Sequence, residues 1–335
     1  MRVAIDTSYT HRGASGTAVY IERLIAALES DGVEVVRLRQ PVRGARGGRN
    51  KLRSGANAAL DLAWMRELLP RAAERAKVDV LHHPLPAWSP TKIPQVVTVH
   101  DVAFARHPDD FDRVWRRFAL RSHRKAVARV DAVIAVSDTT ARDAIAWLRA
   151  PAERVVVAPH GPGQELEMRE PRAAEHYLYV GDDEPRKNVD ALLAAHARYR
   201  EGGGTKPLVL AGAAAASRGE GLRDPDVATL ADLHRRALAL VHPSRDEGFG
   251  LTVLEAMSVG TPVIAARNAA IEELAGDAAL IVDDYELAEA MQRVERDAPL
   301  QQMMGAAGRH RAAAFSWQRS AKAHIKAYTL ARDSR

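Results

Sequence analysis

The sequence predicts an α/β protein made of two doubly wound parallel-sheet domains in tandem, facing a central cleft. Three observations predict it. Short apolar runs alternate with longer helical patterns nearly throughout, which is the rhythm of βαβ units. The runs are apolar at almost every position rather than at alternate ones, as suits strands covered on both faces. A polar, charged, proline-containing stretch at 162–175 interrupts the rhythm near the middle of 335 residues, a length that supports two cores of ordinary size.

The first series runs RVAID, the helical AVYIERLIAAL, VEVVRL, a long helical stretch to Ala76, VDVLHH, QVVTVHD, a helix around Arg113, DAVIAVS and finally RVVVAPHG, which closes at Gly161. In AVIAVSDTTARDA, Ser137 stands where a helix cap is needed after a strand. The second series runs HYLYVG, a helix from Val189 to Tyr199, PLVLAG, a helix from Val227 to Ala237, ALALVHPS, a helix through Glu255, TPVIAA and AALIVDD. Ligands of such folds gather at the carboxyl ends of the strands, so the cleft is expected where those ends face each other. The expected domains are 1–165, 166–318 and a C-terminal helix at 319–335 that packs back on the first.

The chain contains no cysteine, which excludes disulfide frameworks, thiolate zinc sites and cysteine nucleophiles and fits a reducing compartment. No run approaches the roughly 20 apolar residues of a membrane span, and MRVAID has no long apolar region of a signal peptide. A cytoplasmic protein is therefore expected, peripheral at most to the inner face of the membrane. The net charge of +5 is concentrated in two tracts. Arg37, Arg39, Arg43, Arg46, Arg49, Lys51 and Arg53 follow one another with no acid among them. Arg113, Arg116, Arg117, Arg121, Arg124, Lys125 and Arg129 stand beside Val114, Trp115, Phe118 and Leu120 at near-helical spacing. The first tract is a place for something anionic to dock and the second reads as a solvated helix face; a hold on an anionic membrane surface through Arg37 to Arg53 and Arg113 to Arg129 is the alternative use. Nucleic acid is not an expected partner, because aromatic stacking platforms are scarce at 5%.

The chemistry concentrates in HPSRDEGFGLTVLEAMSVGTPVIA, His242 to Ala265, where Glu247 and Glu255 flank the start of an apolar helix. Gly248 and Gly250 permit close backbone approach and positive φ ahead of the helix, which ends at Gly260. The unpaired amides of such a helix start carry about half a positive charge and form an anion site. A phosphate suits that position, leaving Glu247 just outside the helix and Glu255 a turn inside to accept hydrogen bonds from hydroxyl groups. YVGDDEPRKN places Gly181 at a strand end with Arg186 and Lys187 following, and VVTVHD ends a strand at His100. The paired acids of GDDE and VDD read as turn residues, and no metal site is expected.

Over nearly its whole length the sequence resembles a retaining glycosyltransferase of family 4, of the GT-B architecture. The resemblance is carried by His242, Pro243, Ser244, Glu247, Gly248, Phe249, Gly250, Glu255 and Gly260 to Ala265, with IEELAGDAALIVDD and FSW, Phe315 to Trp317, further on. It implies that Glu247 holds donor-sugar hydroxyls, Glu255 the ribose, and Arg186 and Lys187 the diphosphate. Amides near Phe249 to Leu251 join the diphosphate contacts, and His100 lies near the donor sugar. DTSYTHRGASGTAVY matches the glycine-rich loop that approaches the donor phosphate, with Gly13 and Gly16 kept but Ala18 in place of the next glycine. Relatives also carry another helix and strand in the region of 211–226, which is abbreviated here.

The activity this resemblance implies is metal-independent transfer of a hexose from a GDP-sugar or UDP-sugar, with mannose slightly favoured because EPRKN resembles the same stretch of mannosyl-transferring relatives. The acceptor is a hydroxyl of a glycan, a lipid-linked saccharide or a small molecule, and no cofactor is needed. The alternatives are a catalytically silent sugar-nucleotide-binding or membrane-associated scaffold, or a GT-B epimerase or phosphorylase.

Overall fold

The computed structural model describes residues 1–10, 15–41, 51–164, 166, 174–219 and 221–335, side chains at 51–55 excepted. The chain divides into two compact units, Met1–His160 with Trp317–Arg335 as unit 1, and Gly161–Ser316 as unit 2.

Unit 1 contains β1 (Arg2–Asp6), α1 (Gly16–Ser30), β2 (Glu34–Leu38), α2 (Lys51–Ala63), α3 (Leu69–Arg75), β3 (Val80–His83), β4 (Gln95–Val99), α4 (Ala103–Arg106), α5 (Arg113–Val127), β5 (Ala132–Ala135), α6 (Asp138–Asp143) and β6 (Val155–Val157). The strands form one parallel sheet in the order β2-β1-β3-β4-β5-β6. Side chains alternate across a strand, so Val3 and Ile5 of β1 join one core with Leu24 and Leu28 of α1 while Ala4 joins another with Leu69 and Leu81. This is why the strands read as unbroken apolar runs. The helical stretch after residue 50 widens at Trp64–Leu68, where the Leu69 amide bonds back to Trp64, and this turns the Trp64 indole onto Asp6 at the end of β1 (3.1 Å). Ser137 caps α6 by accepting from the Thr140 amide at 2.9 Å.

Unit 2 contains β7 (His176–Val180), α7 (Val189–Glu201), β8 (Leu208–Ala211), α8 (Ala213–Arg218), α9 (Val227–Arg236), β9 (Ala237–His242), α10 (Leu251–Val259), β10 (Val263–Ala266), α11 (Ala269–Ala275), β11 (Leu280–Val282), α12 (Leu287–Arg296) and α13 (Ala298–Ala312). Its parallel sheet has the order β11-β10-β9-β7-β8. From β7 the chain steps outward to β8, then returns to the opposite side of β7 to form β9. The order in which strands are added therefore reverses between β7 and β9, and their carboxyl ends frame the crevice such sheets use for ligands. In the abbreviated region, the short α8 and a parallel bridge between Ala211 and Leu222 are, among the described residues, the elements between β8 and α9.

The last helix, α14 (Trp317–Asp333), belongs to unit 1. Its buried residues Trp317, Ser320, Ala321, His324, Ala327, Tyr328 and Ala331 recur at helical spacing and form the stripe that packs on α1 and on β3 to β6.

Candidate active site

The crevice between β7 and β9 is built from two turns. After β7, Gly181 leaves the strand at φ 155°, and a Cβ there would meet the Tyr179 hydroxyl at 2.9 Å. A short turn at Pro185–Lys187 follows, ended by Asn188 in the left-handed region (φ 55°), whose amide group donates to Asp284 at 2.8 Å. After β9, the Arg245 amide donates to the Arg186 carbonyl at 2.9 Å, and Ser244 Oγ bonds to the carbonyl of Asp246 at 3.0 Å. Asn268 Nδ2 donates to the Ser244 carbonyl at 2.9 Å while its Oδ1 caps α11. These bonds stitch the turns together and bring Arg186 and Lys187 to Glu247.

Glu247 is the centre of the arrangement. Its Oε1 accepts from Lys187 Nζ at 2.6 Å, its Oε2 lies 3.4 Å from Arg186 Nη1, and His242 Nε2 stands 3.1 Å from Oε1. Burial alone would push the carboxyl pKa up, but Lys187, then His242 and Arg186, outweigh it and hold Glu247 well below the usual carboxylate range. It is a carboxylate at any physiological pH. Arg186 is further anchored by Glu184 at 2.9 Å and the Asp246 carbonyl at 3.2 Å.

Beside this cluster begins α10. Gly250 takes φ 102°, and a Cβ there would come within 2.5 Å of Ile271 Cδ1, so the entry turn suits only glycine. Gly250, the N-cap of α10, has no side chain with which to cap the helix, and the positive end of α10 faces the cluster. Gly248 and Leu251 bracket this turn, and the Phe249 ring is buried edge-on against Phe315 at 5.8 Å, which fixes the backbone that carries its amide. Glu255, a turn inside α10, is 6% exposed and accepts from the Gln164 amide at 2.9 Å. The arrangement thus offers two cations and a helix start to an anion, and two buried carboxylates to hydroxyl groups.

The two remaining candidates lie in unit 1. His100 follows β4, and its Nε2 stands 2.9 Å from the Pro84 carbonyl, which can only accept. Nε2 therefore carries the proton, and Nδ1 is left as an acceptor. Burial lowers the pKa of His100, and the Pro84 and Asp101 contributions only partly oppose it. Gly16 opens α1 and is exposed, Ser15 caps the helix by taking the Ala18 amide at 3.2 Å, and Gly13 falls outside the described residues.

Sequence reasoning missed His242, Ser244 and Asn268 as site residues; the HPS motif was the available signal for the first two. It placed Glu247 and the Arg186–Lys187 pair on one donor without anticipating that they pair with each other. Arg37, the first residue of the basic tract, is gripped by both oxygens of Glu29, which precedes the tract, at 2.8 and 3.3 Å, because α1 and β2 bring them together. Arg43, Arg46 and Arg49 lie outside the described residues, as do the side chains of Lys51 and Arg53. On α5, Val114, Trp115 and Phe118 are exposed at 75, 49 and 70%. Among the described residues no group of three His, Cys, Asp or Glu could hold a metal ion, and no helix is long and apolar enough to cross a membrane.

Known proteins resemble this chain in sequence and in fold. Residues 14–162 match the family described as Glycosyltransferase Family 4, and residues 167–311 match Glycosyl transferases group 1. An O-antigen chain mannosyltransferase B from Escherichia coli is 29% identical over 290 residues, 75% of this chain and 74% of its own. An MMP alpha-(1->4)-mannosyltransferase from Mycolicibacterium hassiacum is 30% identical over 278 residues, 71% and 66% of the two chains. Among solved structures, a sucrose-phosphate synthase from Thermosynechococcus elongatus superposes with a TM-score of 0.79 at 20% identity over 98% of both chains. HepE from Anabaena, in complex with UDP-glucose, gives 0.70 at 17% identity over 97% and 98%. The family matches define a glycosyltransferase, and the two parallel-sheet units give it the GT-B fold. The chain belongs to glycosyltransferase family 4.

Proposed function

We propose that the protein transfers a hexose, with mannose favoured, from a nucleoside diphosphate sugar to a hydroxyl group of a glycan, a lipid-linked saccharide or a small molecule, with retention of anomeric configuration. The observation that carries this reading is the convergence of Lys187, Arg186 and Glu247 beside the glycine-opened start of α10. In the reaction the bond between the sugar C1 and the phosphate oxygen breaks, and a bond from C1 to the acceptor oxygen forms on the same face. The acceptor proton passes to the departing phosphate oxygen. Lys187, Arg186 and the amides of Phe249 to Leu251 stabilise the charge that develops on the diphosphate, so the step is assigned no metal. Glu247 accepts from sugar hydroxyls, Glu255 from the ribose, and His100 from a substrate hydroxyl at Nδ1. Gly181 and Gly16 let the backbone approach the donor. The mannosyltransferase relatives support the sugar, and the UDP-glucose complex of HepE supports a nucleotide-sugar donor.

A cytoplasmic location with a peripheral hold on the inner membrane face completes the reading. It is supported by the exposed Val114, Trp115 and Phe118 on α5 beside Arg113, Arg117 and Arg121. The test is a panel of GDP- and UDP-sugars, with and without chelator, scored for thermal stabilisation and for slow donor hydrolysis without acceptor. GDP-mannose is expected to give the strongest response, unchanged by chelator. A protein that neither binds nor hydrolyses any of them would overturn the reading, and tight binding without turnover would favour a silent scaffold.

A further inference from the structure

Unit 1 contains a buried polar chain that the transfer reaction does not by itself require. Tyr20 of α1 bonds through its hydroxyl to Thr98 Oγ1 of β4 and to His324 Nε2 of α14, each at 2.8 Å. Thr98 Oγ1 also meets His82 Nε2 of β3 at 2.8 Å, and His82 Nδ1 meets the Tyr328 hydroxyl of α14 at 2.8 Å. At the other end, His324 Nδ1 stands 2.7 Å from the Ser320 carbonyl. Tyr20, His82, Thr98, His324 and Tyr328 are all fully buried. Burial raises the tyrosine pKa values and lowers those of His82 and His324, the latter to about 4, so every member is neutral near pH 7.

Neutrality and one fixed acceptor determine every proton in the chain. The Ser320 carbonyl can only accept, so His324 carries its proton on Nδ1 and presents a lone pair at Nε2. Tyr20 must then donate to His324. Its only proton is spent, so Thr98 donates to Tyr20, His82 donates from Nε2 to Thr98, and Tyr328 donates to His82 Nδ1. The hydrogen bonds run one way, from Tyr328 to the Ser320 carbonyl, and both ends lie on α14.

The ring at the centre of this chain bears on a site residue. Tyr20 meets His100 edge-to-face, with centroids 4.8 Å apart at 83°, and lies 4.9 Å from His160, which stacks on Trp317 of α14 at 5.4 Å. Thr98 and His100 are two residues apart at the end of β4. We propose that Tyr20 is a positioning residue: held by the one-way chain from α14, it fixes the His100 ring while keeping its own proton committed elsewhere, so that His100 Nδ1 stays open to a substrate hydroxyl. This inference rests on the reading of His100 as substrate-facing. It makes the C-terminal helix, hundreds of residues away in sequence, part of the His100 site.

The test has two arms on the full chain. Two-bond proton–nitrogen spectra of the histidines should show opposite neutral tautomers, the proton on Nδ1 in His324 and on Nε2 in His82 and His100. A proton on Nε2 of His324 would overturn the chain. In the kinetic arm, Tyr20→Phe and Tyr328→Phe, each checked by thermal melting, should lower kcat about tenfold with donor KM changed less than threefold. Because one break releases the whole chain, the double variant should lose no more than the worse single variant. Unchanged kcat in folded Tyr20→Phe, or losses that multiply in the double variant, would overturn the positioning role. A wild-type protein that transfers nothing from any donor would instead sink the transferase reading, and the tautomer pattern would still decide the chain.

Discussion

Replacing Glu247 with glutamine should move stability, donor chemistry and product affinity in different directions. The substitution keeps the shape but removes the charge that faces Lys187 at 2.6 Å and Arg186 at 3.4 Å. Breaking a buried pair from one side costs about 3–5 kcal/mol. Here Arg186 keeps Glu184 and the Asp246 carbonyl, and the Lys187 and Arg186 side chains retain 16 and 17% exposure. The loss should therefore be smaller, about 2 kcal/mol, which lowers the melting temperature of a domain this size by roughly 4–8 °C. Two cations released from their carboxylate attract an anion more strongly. Opposite charges about 4 Å apart interact by about 4 kcal/mol at an effective dielectric of 20, of which a fraction survives, so nucleoside diphosphate should bind about tenfold more tightly. Transfer should fall by about 10- to 100-fold as the charged acceptor for the sugar hydroxyls is lost. Melting curves, calorimetric titration with GDP and UDP, and initial rates with the best donor measure the three effects. Weaker diphosphate binding in a folded variant would refute the reasoning, because Glu247 would then serve only to hold the cations in place.

Lys187→Ala should weaken nucleoside diphosphate binding about tenfold and reduce kcat by about 100-fold, since the lost cation acts most on the departing diphosphate; isothermal titration and rate measurements check this. Gly250→Ala should destabilise unit 2 by about 2 kcal/mol, because alanine resists φ 102° and its Cβ would press on Ile271 and Leu274, and thermal melting should register it. Acid should weaken the fold through a buried imidazole. His324, with its pKa lowered from 6.5 to about 4 by burial, binds a proton in the unfolded chain before it does in the folded one. Its contribution is complete above pH 6.5 and declines by about 3 kcal/mol as the pH falls to about 4, a loss that His324→Asn should flatten in denaturant titrations across that range.

The local features of this protein were legible because they are written over short distances. Strands buried on both faces appear as apolar runs, helices as a 3.6-residue period, and the α10 entry as EGFG ahead of an apolar stretch. The Ser137 cap is likewise a matter of three neighbouring residues. Each of these depends on steric and hydrogen-bonding rules that a residue obeys with its near neighbours.

What the tertiary structure decided is which of these features meet. Lys187 and Glu247 are 60 residues apart, and only the return of the chain to the inner side of β7 brings their turns together. That encounter turns a cation pair and a glutamate into one ion-paired cluster, and it recruits His242, Ser244 and Asn268. Tyr20 and His324 are 304 residues apart, so no local pattern could announce the chain between them. Sequence alone determined the elements and the types of chemistry at their ends, because secondary structure follows from local period and propensity. The direction of each buried proton and the partner of each buried charge were left to packing, because desolvation penalises an unpaired polar group wherever in the sequence its partner stands.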